Sequence, residues 1–205
     1  MPDIKNKVIL ITGAGKGRGR ILAKTLAAHG AIIAASDISP INIDTVVDEI
    51  HTQDGRAISY IEDVAKKVGV QNLINSVEDD FGHIDILINH ANVEPNKPIL
   101  EMDEWDWHRV LDVNLTGTFL MIQSAGRIMR QQGYGEIIIL TQPDQASGRS
   151  DAAFIASMHG LIGFAQQAKR ELSPHGIQVH VLDDAQETIV DAVLNLLGEK
   201  NERVG

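Results

Sequence analysis

A run of glycines, Thr12-Gly13-Ala14-Gly15-Lys16-Gly17-Arg18-Gly19, follows an apolar stretch and precedes a helical pattern. Such a run can bind phosphate with backbone alone. Glycine lets the chain turn sharply and approach a pyrophosphate closely, and the helix N-terminus behind it attracts negative charge. The spacing is G-x-x-x-G-x-G at Gly13, Gly17 and Gly19, not G-x-G-x-x-G, because positions 18 and 20 are arginines. A tight turn with no ligand uses the same residue types, but the order strand, glycine loop, helix favours a nucleotide. The second apolar stretch ends at Asp37. A carboxylate there accepts hydrogen bonds from ribose hydroxyls and repels a 2′-phosphate, which favours NAD over NADP. Lys16 and Arg18 pull the other way, since either can meet such a phosphate. Asp37 also has a plainer reading, as a cap for the helix after the Pro40 turn.

The elements that must hold these residues follow from periodicity. Candidate strands are Val8–Thr12, Ala31–Ser36, Ala57–Ile61, Ile84–Asn89, Glu136–Thr141 and Ile177–Leu182. Most are apolar on both faces, as in a parallel sheet covered by helices on either side. Between them lie helical patterns at Arg18–Ala28, Ile43–Thr52, Lys67–Phe81, Asp103–Gln131 and Ala152–Leu172, with a last helix at Glu187–Leu197. Several end in glycine, at Gly30, Gly82, Gly133 and Gly176. The rhythm predicts one α/β domain, a Rossmann-type doubly wound parallel sheet of six strands. Its ligand crevice should open at the carboxyl ends of the strands.

Five motifs in order carry a resemblance: the Thr12–Gly19 loop, Asp37, Glu62-Asp63-Val64, Asn89-His90-Ala91-Asn92, and Asp112-Val113-Asn114-Leu115-Thr116-Gly117. Together, from Lys7 to about Leu197, the chain resembles the short-chain dehydrogenase/reductase family. The resemblance implies that Asp63 and Val64 border the adenine and that Asn89 and Ala91 line the cofactor ribose. The family's N-N-A-G reads N-H-A-N here, so His90 and Asn92 depart from it. The resemblance also implies hydride transfer between a nicotinamide and a carbonyl or alcohol. Its working parts are a tyrosine acid/base, a lysine one helical turn later, a serine on the fifth strand and an asparagine in the preceding helix. A phenol gives up its proton near neutrality only beside a cation that stabilises the phenolate.

Here that apparatus is degenerate. In Phe154-Ile155-Ala156-Ser157-Met158-His159-Gly160, the tyrosine position holds Phe154 and the lysine position Met158. Phenylalanine has no proton to give and methionine no charge. The serine position falls on Gln142 counting from Gly135, and on Thr141 counting back from Phe154. Asn114 alone is retained, either for catalysis or as a structural asparagine bonding backbone. After the sixth strand, Leu182-Asp183-Asp184-Ala185 runs directly toward the last helix, so the substrate lid and a seventh strand are expected to be missing. His90 and His159 are expected near the emptied site. An imidazole at His159 is a conceivable replacement acid, against the plainer reading of a partly exposed helix histidine.

Composition narrows the classes further. The chain has 205 residues and a formal net charge of −10. That charge disfavours nucleic acid and anionic membrane as partners. The absence of cysteine excludes disulfides and thiolate chemistry and fits a reducing cytoplasm. The eight histidines are scattered, so no metal site is expected. Trp105 and Trp107 read as packing and interface residues, since no basic patch accompanies them. The expectation is an NAD(H)-binding pseudoenzyme with a regulatory or structural role, a homodimer or homotetramer through its two long helices. The rival is an active NAD(P)-dependent oxidoreductase whose proton comes from Thr141, His159 or a bound water.

Overall fold

Six short runs dominated by β-branched and aliphatic residues form one parallel sheet: β1 (Val8–Thr12), β2 (Ile32–Asp37), β3 (Arg56–Ile61), β4 (Ile86–Asn89), β5 (Gly135–Thr141) and β6 (Ile177–Asp183). The strand order is β3-β2-β1-β4-β5-β6. The computed structural model describes residues 4–142, 151–183 and 189–198. Helices α1 (Gly17–Ala28), α2 (Pro40–His51) and α7 (Ile189–Gly198) cover one face; α3 (Lys67–Phe81), α4 (Glu104–Leu111), α5 (Thr118–Gln132) and α6 (Ala152–Leu172) belong to the other. Alternate strand residues feed two separate cores. Ile9, Ile11, Ile138 and Leu140 point to the first, and Val8, Leu10, Ile137 and Ile139 to the second. This two-sided burial is why the strands read as unbroken apolar runs.

The expected doubly wound architecture is present, and several boundaries shift for local reasons. β4 starts at Ile86, not Ile84, because the Gln132 amide takes both backbone groups of Ile84, each at 3.0 Å. α2 starts earlier than Ile43: Ser39 caps it through Asn42 N–H, and Pro40 occupies the first turn, where no donor is lost. The predicted single helix over Asp103–Gln131 is interrupted. Between α4 and α5 the chain widens into a π-helical segment at Asp112–Gly117. Gly117 lies so close to the loop after β3 that a Cβ would stand 3.0 Å from the Val64 carbonyl. The Thr118 hydroxyl donates to the Asn114 carbonyl at 2.8 Å beside this widened turn. The start of the last helix at Glu187, and the shortened connection read at Asp184 and Ala185, lie outside the described residues.

The order reverses at β1. Strands β2 and β3 build outward on one side, and β4 to β6 on the other. Diverging connections at that point leave a crevice above the carboxyl ends, as the sequence rhythm implies. Among the described residues no helix is long and apolar enough to cross a membrane.

Candidate nucleotide site

The crevice is a cleft of about 560 Å³ walled by the ends of β1 to β4, by α4 and the π segment, and by the residue after β5. Gly13 and Gly17 turn the loop with φ of +70° and +55°. A Cβ on Gly13 would stand 2.8 Å from the Ala91 backbone, and one on Gly19 would stand 2.2 Å from the Gly13 carbonyl. Gly17 faces open space. The loop therefore packs tightly behind and stays clear in front, where a phosphate group would approach. Thr12 fastens the loop to the end of β4: its hydroxyl accepts from the backbone N–H groups of His90 and Ala91 at 3.1 and 3.2 Å.

Asp37 is held from two sides. One carboxylate oxygen accepts from Gly15 N–H and the other from Ser39 N–H, both at 3.0 Å. The plainer reading of Asp37 as helix cap is thereby corrected, because the cap is Ser39. The neighbouring Ser36 is also a wall residue; its hydroxyl is buried and has no hydrogen-bond partner in the protein. Asp63 sits on the wall beside Val64, its carboxylate turned by Ala65 N–H at 3.0 Å and Lys66 at 3.5 Å. Lys16, Arg18, Ala91, Asn92 and His90 complete this half.

Two residues expected at the cofactor stand behind the wall. Asn89 is buried, 4% exposed, and its amide nitrogen finds no partner within the protein. Gly19 is buried beneath Gly13 and His90 and serves the close packing of loop and helix. Ser36, Ser39, Asn42 and Arg109 are wall residues outside the motifs, and Glu62 and Val113 lie within motifs but were given no role there. Ser36 was within reach of sequence reasoning, as it directly precedes Asp37. Arg109 was not, since its place depends on how α4 packs against α6 and the π segment. Its guanidinium also stacks on Trp105, 5.1 Å from the ring centroid. Trp105 is largely exposed, which corrects the packing half of its packing-and-interface reading.

The positions expected to be catalytic present a different surface. Phe154 and Met158 are 1% and 2% exposed and belong to the core beneath α6. The Met158 thioether accepts from Gln142 N–H at 3.4 Å. Asn114 clips three elements together: its side-chain oxygen accepts from Val93 N–H at 2.8 Å, and its nitrogen donates to the Val93 carbonyl and to Ser157 Oγ, each at 3.1 Å. The Ser157 hydroxyl in turn donates to the Phe154 carbonyl at 2.7 Å. Of the two residues competing for the serine position, Gln142 lines the cleft, whereas Thr141 is buried and donates toward the Leu182 carbonyl at 3.4 Å. His159 does not reach the cleft. It is exposed on α6 and its Nδ1 lies 3.0 Å from the Ile155 carbonyl of the preceding turn. The expectation that it would sit by the emptied site is corrected; His90 does line the cleft. Among the described residues no group of histidines and carboxylates is arranged to hold a metal ion.

The family model described as "short chain dehydrogenase" matches residues 7–184. Over 196 residues the chain is 35% identical to a 3-oxoacyl-[acyl-carrier-protein] reductase FabG of Staphylococcus epidermidis, covering 95% of this chain and 80% of that protein. It is 33% identical over 178 residues to the short-chain reductase protein NovJ of Streptomyces niveus, covering 87% of this chain and 68% of the other. Among solved structures, an NAD+-bound xylitol dehydrogenase superposes with a TM-score of 0.83 at 30% identity, covering 88% of this chain and 70% of that one.

Proposed function

The chain belongs to the short-chain dehydrogenase family, and from that premise we propose that it binds NAD(H) in the cleft and does not carry out ordinary carbonyl reduction. The observation that carries the second half is the pair Phe154 and Met158, apolar and closed into the core at the two positions where the family places its acid/base and its cation. A nicotinamide dinucleotide supplies a hydride donor or acceptor when bound. What this chain supplies is a cradle: the loop from Gly13 to Gly19 for the pyrophosphate, Asp37 for the adenosine ribose, and Asp63 and Val64 beside the adenine. Three features of the fold fit such a ligand. They are the open front of Gly17, the carboxylate fixed by two backbone donors, and the buried Ser36 hydroxyl with no protein partner. The protein then acts as a dinucleotide-binding partner with a regulatory or structural role.

The rival reading, an active NAD(P)-dependent oxidoreductase, draws on the activities in the relatives' names. Its two named side-chain donors count against it, because Thr141 is buried against β6 and His159 faces away from the cleft. The test is steady-state NADH and NADPH oxidation across a panel of ketones and aldehydes, paired with calorimetry of both nucleotides. NADH should bind more tightly than NADPH, and turnover should be absent. Turnover near ~10 s⁻¹ would sink the degenerate-site reading. Tighter NADPH binding would overturn the role of Asp37 in favour of Lys16 and Arg18.

For self-association we propose the groove between α5 and α6, about 400 Å³, where Phe119 and Phe164 meet edge-on at 6.1 Å. Met121 and Ile122 on the same helix fill the chain's own core. Phe119 is 40% exposed and remains for a partner. Light scattering at micromolar concentration should show a dimer or tetramer; a 22.3 kDa species alone would refute this.

A further inference from the structure

We infer that His90 couples nucleotide binding to a proton: its imidazole is protonated from solvent as a diphosphate enters the cleft. This rests on the nucleotide reading above and adds to it a residue that departs from the N-N-A-G pattern. His90 stands at the second asparagine of that pattern and lines the cleft. An amide there has no proton to gain near neutrality, whereas an imidazole does.

The backbone of His90 is held at both ends. Its N–H donates to Thr12 Oγ1 at 3.1 Å, and its carbonyl accepts from the Asn92 side-chain amide at 2.9 Å. The ring lies against the first turn of α1: a Cβ on Gly19 would stand 2.6 Å from His90 Cδ2. That turn is electropositive. Lys16 is the N-cap residue of α1, no side chain caps the helix, and its first turn holds no acidic residue. The leading N–H groups of α1 therefore keep their positive ends for an anion.

The charged groups on the described walls are Lys16 and Arg18 of this loop and turn, Asp37 of β2, Glu62 and Asp63 after β3, and Arg109 of α4. The acids are directed elsewhere. Asp37 accepts from Gly15 and Ser39 N–H, Asp63 from Ala65 N–H beside Lys66, and the Glu62 carboxylate lies next to Gly69 of α3. Without a ligand, a positive charge on the ring is opposed by the α1 terminus, Lys16 and Arg18. A pyrophosphate brings two negative charges to the same turn and reverses that sign. The complex then holds more protons than the free protein, so affinity falls as pH rises through the imidazole range.

The experiment is calorimetry of the full chain with NAD+ at about pH 7 in Pipes, Hepes and Tris, which differ in ionisation enthalpy. The slope of binding heat against that enthalpy counts the protons taken up. The wild type is expected to gain roughly half a proton, and its Kd to rise about fivefold from about pH 6 to about pH 8. His90→Asn, and His90→Gln as a second neutral substitute, should bind with no net proton and a level Kd across that range. NAD+ binding without proton uptake in the wild type overturns the inference and leaves the dinucleotide reading standing. Uptake that persists in both variants overturns it too, because another group then carries the proton. If NAD+ does not bind the wild type at all, both readings fall.

Discussion

The carboxyl ends of β1 and β2 and the first turns of α6 lie at the same side of one sheet, yet they treat polar groups in opposite ways. Around Asp37 the backbone donors of Gly15 and Ser39 fix a carboxylate on the wall of an open cleft, and Ser36 waits unpartnered beside it. Around Phe154 and Met158 the polar groups bond one another and the two side chains at the catalytic positions are sealed into the core. The first region depends on backbone geometry and one carboxylate. The second, in a working reductase, depends on a charged lysine and a phenol held in register. A fold can therefore keep the first when the second is gone, because little packing connects the Gly13 loop to α6.

The strongest way to break this contrast is to put charge back. Phe154→Tyr with Met158→Lys restores the residue types one helical turn apart, but buries an ammonium where the Gln142 N–H had an acceptor. We expect a loss of about 4 kcal/mol in urea unfolding, in the range for an uncompensated buried charge. We also expect NADH turnover at least about 100-fold below that of a reductase with an intact acid/base. A stable, fully active double variant would show that the site was merely disarmed and not rebuilt.

The next effect belongs to the nucleotide half. Gly19→Ala places a methyl group 2.2 Å from the Gly13 carbonyl. Relieving that overlap should cost about 3 kcal/mol and displace the loop, so nucleotide binding disappears with the stability. If the variant binds NADH normally, the close approach of α1 to the loop is not what shapes the cradle.

Asp151→Ala tests the join between the halves. Asp151 is buried, caps α6 through Phe154 N–H at 2.8 Å and accepts from Asn96 N–H at 2.9 Å. Its loss should lower stability by about 2 kcal/mol, with NADH affinity unchanged in calorimetry. A matching fall in affinity would mean the two regions are coupled after all. The smallest effect is Asp37→Ala: NADH affinity should fall about tenfold, roughly 1.4 kcal/mol, and the preference over NADPH should vanish.

Where the sequence was informative, the signal was local or periodic. The glycine loop, the acidic residue at the end of β2 and the alternating strands and helices depend on residues adjacent in the chain, and each was legible from spacing. The resemblance carried by Ala156, Ser157 and Gly160 sets the register in which Phe154 and Met158 stand where a tyrosine and a lysine are implied. The sequence could not choose between Thr141 and Gln142, since two counts along the chain disagree. The structure separates them by direction: Thr141 still lies on β5, paired with Asp183 and turned toward Leu182, while Gln142 follows the strand and reaches the cleft.

Other features needed the tertiary fold outright. The residues over Asp103–Gln131 read as one continuous helix, and periodicity does not reveal the π turn that Gly117 permits against Val64. Asn114 was visible, but its bonds to Val93 and Ser157 join segments 21 and 43 residues away. Arg109 enters the cleft wall through the packing of α4 on α6 and the π segment. The sequence by itself determined the element types, the sheet class and the apolar residues Phe154 and Met158 on α6, because these follow from residue type and short-range order. The tertiary structure decided which polar groups remain open to a ligand and which are bonded shut, because that depends on contacts between segments far apart in the chain.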